Sequence, residues 1–490
     1  MDYIKRVAGI FSRSKARVAN NLGRIAMPMG DEARRLFRNP KMELMDAYFE
    51  GRQYDHLPEF DQQVGADGVF VPLRHRQPRI RYPFAKVFAE RVTAKLLGNE
   101  VFPKFQVPQS PDDEAFFQAV IKSAKLRYRL LEPTRRMLAG GSVFVRFYIA
   151  GGQYKVEHYL GKYCYPQFDE AGELESIEVK YVYDDEQDLD SNKVPKKKWY
   201  KLQLDKVSEV LFDNPEYKEK QDPVFTEVAR VDHGLGFVQG EWFRTMEIKD
   251  KPDGPSVIED CLDFIDELNY SLSQSSQAVS YNQDPQLIFR KMDEDDLRDL
   301  IRSSAKAWNL GREGEADFLE SNLSGVQVAM DFRDKIRLNL QDIARVVLLD
   351  PEKIVGSAQS AKAMEVLHGP MVELVNELRP VMEHSLRQLV MKIAVATLMA
   401  NRQGVLVPIT IPTAYMPMSL EPEIVWPPVF QQTIQDIQQK VTMVLSATNA
   451  SLISRETGTR FLAQDFNVEN VDEEIQKIAS QPVINPFGMF

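Results

Sequence analysis

A run of carboxylates, Asp293-Glu-Asp-Asp296 with Asp299 one turn further on, is the feature of this sequence best suited to do chemistry. Carboxylates that hold two divalent cations can activate water for phosphodiester cleavage, so Asp293, Asp295, Asp296 and Asp299 would be the metal ligands of a nuclease. The first four acids are consecutive at a predicted helix start, however, whereas metal ligands usually converge from separate elements. We therefore interpret the run as a helix start that suits the helix dipole, and we keep the nuclease as an alternative.

The histidines and cysteines form no recognisable catalytic or metal-binding pattern. The six histidines are scattered and lack the spacing of metal ligands. Only Cys164 and Cys261 are present, which excludes a disulfide scaffold and a cysteine-based zinc site and fits a reducing compartment. The sequence also lacks a Walker A loop, a dinucleotide fingerprint, a nucleophile elbow and a His-Glu-x-x-His motif. We therefore predict that the protein is not an enzyme and has no catalytic residue, no cofactor and no metal.

The charge balance excludes one class of nucleic-acid-binding protein. The chain of 490 residues has 61 Lys and Arg against 72 Asp and Glu, a formal net charge of -11. A protein that coats duplex DNA is basic, because neutralising phosphates drives that binding. The most apolar helical stretch, Ile393–Ala400, is far shorter than the roughly 20 residues of a membrane span. We expect a soluble intracellular protein with about three domains, or one large mixed domain.

The first 40 residues form a basic amphipathic segment with nine Lys and Arg against three Asp and Glu. Apolar residues recur there at helical spacing, up to a break at Met27-Pro-Met-Gly30. One interpretation is a helix that lies on a membrane surface or targets an organelle. We favour an arm that packs on its own fold or on a neighbouring subunit.

The succession of periodic segments predicts an α+β fold that is predominantly helical. The predicted helices span residues 40–57, 84–97, 112–138, 256–281, 293–308, 324–349, 361–401, 431–445, 454–464 and 472–479. A β-rich part begins with strand Ser142–Ile149 and a turn at Gly151-Gly152, and further strands are Leu287–Arg290, Glu315–Leu319 and Val405–Pro412. Pro370 and Pro380 are expected to kink the longest helix, because its apolar spacing continues past both.

An acidic stretch in the β-rich part, Asp169–Asp190, holds ten acidic residues and one Lys, and Lys196-Lys-Lys198 follows it. We favour a solvated hairpin or loop with weak surface ion pairs. A specific cation or partner site is the alternative.

The helix predicted from Ser256 carries the second group of carboxylates. Ser256 is the expected N-cap, with Glu259 at the third helical position. Helical spacing puts four carboxylates on one face, next to an apolar stripe: Glu259, Asp263, Asp266 and Glu267. A Ser- and Gln-rich stretch follows over residues 271–277. In a ring of subunits such a helix can line a wet channel, and the equal alternative is an ordinary surface helix.

Four stretches, in this order, resemble the portal proteins of tailed double-stranded DNA bacteriophages. The first is Arg81-Tyr-Pro-Phe-Ala-Lys86 leading into Lys95-Leu-Leu-Gly-Asn99, and the second is Asp263-Phe-Ile-Asp-Glu-Leu-Asn269 followed by Asn282-Gln-Asp-Pro285. The third is Ile354-Val-Gly-Ser-Ala-Gln-Ser-Ala-Lys-Ala363, which departs from a clean Ser-Gly-x-Ala loop. The fourth is Ile453-Ser-Arg-Glu-Thr457 with Val471-Asp-Glu-Glu-Ile475. None of the stretches is specific alone; their ordered combination spans most of the chain.

The resemblance implies a subunit with a wing, a stem, a clip and a crown. The wing takes residues 1–255, with a helical N-terminal part and a β-rich part at about 140–245. The remaining regions are a stem helix at 256–282, a clip at 283–323, a second stem helix at 324–348, a tunnel loop at 349–360, a long kinked wing helix at 361–404 and a crown at 405–490. The clip has too few strands for an independent sheet, so we expect neighbouring subunits to complete it.

The implied function is that of a channel through one capsid vertex. About twelve copies form a ring through which double-stranded DNA is packaged and ejected. The implied partners are the large subunit of the terminase motor, the major capsid protein and scaffold, and later a head-completion or adaptor protein of the tail. No membrane is involved, and the protein resides in the virion after assembly in the host cytoplasm. The alternatives are a metal-dependent packaging-associated nuclease and a monomeric scaffold or adaptor protein.

The resemblance also assigns three groups of site residues. The tunnel loop that faces DNA comprises Lys353, Ile354, Val355, Gly356, Ser357, Ala358, Gln359, Ser360 and Lys362. The partner-binding residues of the clip are Arg290, Lys291, Asp295, Arg298, Arg302 and Arg312. The acidic stem face comprises Glu259, Asp263, Asp266 and Glu267. We expect the acidic face to repel phosphate so that DNA slides, and Lys353 or Lys362 to touch it.

Overall fold

Two units make up the described part of a computed structural model of the chain. The described residues are 36–65, 68–189, 192–218, 221–283, 286–290, 315–319, 324–346, 365–411, 415, 417, 421–430, 434–463, 466, 468 and 471–480. The first unit takes those up to Val346 together with Leu374–Trp426. The second takes those within Val347–Glu373 and Pro427–Phe490.

The N-terminal helices begin and end at residues with special backbone geometry. Helix α1, Pro40–Glu50, is capped by the Asn39 side chain and ends at Gly51, whose φ of 75° cannot continue a helix. The predicted helix over 40–57 is therefore too long. Helix α2, Phe84–Leu97, begins and ends as predicted. Its apolar face is almost fully buried.

The predicted helix over 112–138 is three helices. Strand β1, Lys104–Gln106, precedes helix α3, Pro111–Ser123, which Ser110 caps. Helices α4, Leu126–Arg129, and α5, Leu131–Gly140, follow. The break comes at Lys125, whose φ of 53° is left-handed, a local event that apolar spacing does not reveal.

Two antiparallel sheets form the β-rich part. Strands β2, Ser142–Ala150, and β3, Gln153–Leu160, make the predicted hairpin, and Gly151 and Gly152 both have positive φ. The following strands are β4, Cys164–Phe168; β5, Leu174–Leu189; β6, Pro195–Asp205; β7, Ser208–Phe212; β8, Glu227–Asp232; and β9, Gly240–Arg244. The sheet orders are β3-β2-β9 and β4-β5-β6-β7-β8. A buried core joins the two sheets and includes Phe144, Ile177, Leu204 and Trp242, with Cys164 as a free thiol.

In the five-stranded sheet, the acidic run in β5 lies opposite the basic run in β6, as expected for a hairpin. Asp184 and Asp185 lie opposite Lys197 and Lys196 on strands β5 and β6. The Lys198 ammonium lies 2.9 Å from the Asp185 carboxylate.

A helix pair with two short strands follows the β-rich part. Helix α6, Leu262–Gln283, begins after a single 3₁₀ turn, Glu259–Cys261, which contains the second free, buried cysteine. The helix predicted from Ser256 therefore begins later, at Leu262. The Ser256 hydroxyl accepts from the Ile258 amide at 3.2 Å and donates to the Ala139 carbonyl at 2.6 Å, so it stabilises the chain before the 3₁₀ turn rather than capping α6 directly. Strands β10, Gln286–Arg290, and β11, Glu315–Leu319, pair antiparallel, and helix α7, Ser324–Ala344, packs against α6.

Helix α8, Gly369–Arg402, is the longest element among the described residues. Pro380 lies inside it, and the helix continues past this residue as predicted. Residues 365–367 are helical as well, and a turn at His368 separates them from α8, so the predicted run of helix is interrupted next to Pro370. Pro370 is the second residue of α8, where a missing amide disrupts no helical hydrogen bond. Among the described residues, no helix is long and apolar enough to cross a membrane.

A short strand near the C-terminal end of the first unit pairs with strand β1. Strand β12, Glu423–Val425, pairs antiparallel with β1, so that Phe105 lies opposite Ile424. The strand predicted over Val405–Pro412 is wrong for the described residues 405–411, which form no strand. Proline lacks the amide that a ladder needs, and Pro408 interrupts this segment.

Three helices form most of the described second unit. They are α9, Ile434–Asn449; α10, Arg455–Leu462; and α11, Val471–Ser480. Ser454 caps α10 as predicted, since its hydroxyl accepts from the Thr457 amide at 3.0 Å. Arg460 of α10 pairs with Asp472 of α11 at 2.6 Å.

Candidate functional site

The four carboxylates predicted to form one acidic face do not share one environment. Glu259 is in the 3₁₀ turn and forms an ion pair with Lys41 of α1. Asp263 is exposed in the first turn of α6. Glu267 is half-buried, and its carboxylate lies 2.7 Å from the Arg74 guanidinium. Asp266 is only 1% exposed.

Asp266 is held inside the unit by two tyrosines. The hydroxyl of Tyr48 in α1 donates to the Asp266 carboxylate at 2.7 Å, and that of Tyr54 donates at 2.6 Å. The Asn269 amide donates to the Tyr54 hydroxyl at 3.1 Å. Burial, and then the adjacent Asp266 charge, raise the pKa of Tyr54, so that it stays a proton donor. The prediction of one exposed acidic face is therefore wrong for Asp266, because its charge is desolvated and satisfied within the subunit.

The polar stretch that follows is also partly packed against protein. Ser271, Ser273 and Ser275 are buried, whereas Gln274 and Ser280 are exposed. The expectation of a water-lined stretch therefore does not hold for these three serines. Sequence spacing identified the polar residues but not the segment of chain that covers them.

The segment covering α6 is the irregular chain from Arg74 to Tyr82. The Tyr82 amide donates to the Asn269 side-chain oxygen at 2.7 Å. The Ile80 amide donates to the Ser273 hydroxyl at 3.0 Å. The Tyr270 hydroxyl donates to the Arg76 carbonyl at 2.8 Å.

A buried charge cluster beside α1 was not predicted from the sequence. Lys162, with its side chain 4% exposed, forms ion pairs with Glu43 and with Asp46, the latter at 2.5 Å. Arg52 and Arg136 each lie 2.9 Å from the Asp46 carboxylate. Burial by itself raises the pKa of Asp46, but the charges of Lys162, Arg136 and Arg52 outweigh it and hold this pKa below its ordinary value. The cluster joins α1 to α5 and to the turn before β4.

A second buried ion pair joins the β-rich part to α8. The Lys392 ammonium lies 2.5 Å from the Glu241 carboxylate of β9. Both side chains are at most 10% exposed. Burial raises the pKa of Glu241, although the Lys392 charge and hydrogen bond lower it. A second contact joins the same helix to the β-rich part: His384 of α8 lies 3.8 Å from the carboxylate of Glu173, which precedes β5.

Two predicted groups of site residues cannot be placed. The tunnel-loop residues 353–360 and 362 lie outside the described residues, as do five of the clip residues: Lys291, Asp295, Arg298, Arg302 and Arg312. The sixth, Arg290, ends strand β10 opposite Glu315. The alternative nuclease ligands, Asp293, Asp295, Asp296 and Asp299, also lie outside. Within the described part of the chain, no group of three or more His, Cys, Asp or Glu residues could hold a metal ion.

Sequence comparison identifies the family. The model of the family described as "Phage portal protein, SPP1 Gp6-like" matches residues 35–482, which is most of the chain. The chain belongs to this phage portal protein family. Portal proteins are structural components, not enzymes, and the mixture of helices and strands described above is the portal-family fold.

Solved structures similar to this portal-family chain come from phage-like particles. A chain in the neck of an empty GTA particle, computed with C6 symmetry, is 8% identical with a TM-score of 0.45, covering 77% of this chain and 90% of that chain. A chain in the neck of a native GTA particle, computed with C12 symmetry, is 10% identical with a TM-score of 0.40, covering 77% and 89%. A chain in the virion of a native gene transfer agent particle is 9% identical with a TM-score of 0.37, covering 65% and 85%. These likenesses are too weak to carry an argument. No curated protein shows significant sequence similarity to the chain.

Proposed function

We propose that this chain is the subunit of a portal ring that forms the DNA channel at one vertex of a phage capsid. The observation that carries the proposal is the portal-family match over residues 35–482. The described helix pair α6 and α7, joined through strands β10 and β11, supports it as a stem that carries a clip. The ring contains about twelve copies.

The ring serves DNA packaging first and ejection later. Its partners are the large subunit of the terminase motor, the major capsid protein and scaffold, and then the head-completion or adaptor protein of the tail. It resides at the capsid vertex of the virion after assembly in the host cytoplasm. The ring itself catalyses no reaction; the motor supplies the work.

The clip is completed by neighbouring copies. Strands β10 and β11 pair only with each other among the described residues. An isolated two-stranded ribbon is marginally stable in water. Strands from the next subunits would therefore extend this sheet around the ring.

The channel wall is acidic and grips DNA weakly. Asp263 contributes an exposed charge to the wall. Glu259 and Glu267 contribute less, because Lys41 and Arg74 pair with them, and Asp266 is withdrawn because it is buried. With a charge of -11 per chain, about twelve copies carry roughly -130, which repels phosphate and lets DNA slide. Lys353 and Lys362 in the tunnel loop supply the sparse cationic contacts that guide the duplex.

The test is the mass of the purified full-length protein and its appearance in negative-stain electron microscopy. The expected result is a ring of about twelve copies with a central hole. Because a purified portal subunit can fail to assemble, antibody labelling of intact particles provides a second measurement. A monomer that is also absent from particle vertices would overturn the proposal.

The nuclease alternative is tested by a separate assay. Purified protein is incubated with duplex DNA and Mg²⁺ or Mn²⁺, beside an Asp295→Ala variant. Metal-dependent cleavage that is lost in the variant would establish the alternative and contradict a purely structural role.

A further inference from the structure

The irregular segment 74–82 is bound to one face of helix α6 through its own backbone. The amides of Ile80 and Tyr82 donate to side chains of α6, and the carbonyls of Arg74 and Arg76 accept from the Tyr270 hydroxyl. The α6 residues involved, Asn269, Tyr270 and Ser273, lie within about one turn of each other. Asn269 and Ser273 are fully buried.

Side chains supply these hydrogen bonds because secondary structure does not. Apart from the 3₁₀ turn Leu73–His75, the segment belongs to no helix or strand. Pro78 lacks an amide, and Pro83 directly after the segment disfavours helical backbone at Tyr82. Buried backbone donors and acceptors must nevertheless be paired. Asn269, Tyr270 and Ser273 of α6 meet that need, which explains why a helix with an apolar stripe also buries the side chains of Asn269 and Ser273.

The same two turns of α6 are also held by Tyr48 of α1, by Tyr54 shortly after α1 and by Arg74 of the segment itself. The Asp266 carboxylate accepts from Tyr48 and Tyr54, and Glu267 pairs with Arg74. Between residues 266 and 273, five polar side chains of α6 therefore bind groups of the same subunit. They are those of Asp266, Glu267, Asn269, Tyr270 and Ser273. Asp263 before this stretch and Gln274 after it are exposed.

We propose that segment 74–82 is a strap that fixes the first half of α6 to helix α2, so that these two helices move as one body. The strap ends at Tyr82 and α2 begins at Phe84. Phe84, Phe88 and Val92 of α2 are at most 1% exposed, so α2 is rigidly embedded in its unit. In a portal ring, whose existence here rests on the proposed function, the strap would carry a displacement of the stem into the wing.

The test is hydrogen–deuterium exchange of the full-length protein, comparing wild type with the Asn269→Ala/Ser273→Ala variant. Removing both acceptors is expected to speed exchange at the Ile80 and Tyr82 amides at least tenfold, and to speed exchange across residues 262–273 of α6. Ser276→Ala/Ser280→Ala is the matched control, because its two serines lie on the same helix beyond the strap. The control is expected to leave exchange in segment 74–82 unchanged.

A single substitution keeps the test decisive if the double variant does not fold. Ser273→Ala removes the acceptor of Ile80 alone, so exchange should rise at Ile80 and not at Tyr82. Unchanged exchange at Ile80 in a folded variant would overturn the strap. The measurement applies to a monomer and to a ring alike, so absence of a ring would overturn the proposed function and leave the strap standing.

Discussion

At the scale of single residues, Asp266 shows that helical spacing does not reveal whether a carboxylate is buried. Spacing puts Asp263, Asp266 and Glu267 on one side of α6, but in the fold Asp263 is exposed, Glu267 is half-buried and Asp266 is buried. The fate of Asp266 depends on Tyr48 and Tyr54, more than 200 residues earlier, whose hydroxyls satisfy the buried carboxylate. No local sequence pattern indicates hydrogen-bond partners that are so distant in the chain, so the burial of this carboxylate could not be predicted.

Replacing Asp266 is expected to destabilise the first unit. In Asp266→Ala, two buried tyrosine hydroxyls lose their charged acceptor, and hydrogen bonds to charged groups contribute about 1.5–3 kcal/mol each. We expect a loss of about 3 kcal/mol in the free energy of unfolding, measured by urea denaturation. Asp263→Ala on the exposed side should change it by less than about 0.5 kcal/mol. Equal denaturation midpoints for the two variants would contradict the buried role of Asp266.

The charge cluster around Asp46 makes stability depend on pH. Its neighbours hold the pKa of Asp46 below the ordinary 3.8 in the folded protein. The stabilisation is therefore fully present above about pH 4, and it is lost as the pH falls through the lowered folded value. Asp46→Asn should be clearly less stable than wild type at pH 7, and the difference should shrink in acid.

Acid titration of thermal unfolding measures this effect. Asp61→Asn serves as the control, because Asp61 is 75% exposed in its ion pair with Arg79. Its effect on the melting temperature should be small at every pH. A difference between wild type and Asp46→Asn that stays constant from pH 7 to pH 3 would rule out this linkage.

At the scale of elements, the Glu241–Lys392 pair fixes helix α8 to strand β9. Lys392→Met leaves the buried Glu241 without its cation, and breaking a buried pair in this way costs about 3–5 kcal/mol. The double variant Glu241→Leu/Lys392→Met removes both charges and should recover at least half of that loss. Chemical denaturation of the three proteins measures both values, and a double variant as unstable as the single one would contradict this account.

Elements were predictable where their boundaries are local. Pro83 and Gly98 set both ends of α2, and β11 coincides with the predicted strand Glu315–Leu319. Prediction failed where distant residues decide. Strand β12 exists because it pairs with β1, more than 300 residues earlier. The apolar segment 405–411 has no such partner strand in the described chain.

At the scale of the whole molecule, the order of the elements identified the family, and no single motif did. A channel needs shape and charge rather than a catalytic constellation, so its sequence carries no short signature. The sequence accordingly predicted which regions form the candidate site. Only the fold shows which carboxylates in those regions are exposed and which are buried. The boundaries of wing, stem, clip and crown remain predictions.

Cations of the tunnel loop are expected to act on DNA and not on assembly. Under the proposed function these lysines touch DNA rather than a neighbouring subunit, so Lys353→Ala/Lys362→Ala should leave rings intact while altering the amount of DNA packaged or retained. Packaging assays with purified motor and capsids measure this. Lys477→Ala is a matched control, since Lys477 is 59% exposed in α11. Packaging that is the same in all three proteins would refute the role of these lysines.

The two natural cysteines have a practical consequence for work on this chain. Burial raises the pKa of the Cys261 thiol to about 12 and also raises the pKa of Cys164, so neither forms the thiolate that reacts with maleimide dyes at neutral pH. A cysteine introduced at the exposed Asp263 or Gln274 would then carry a single dye on each subunit. Self-quenching between such dyes would report how closely neighbouring copies of α6 stand around a common axis.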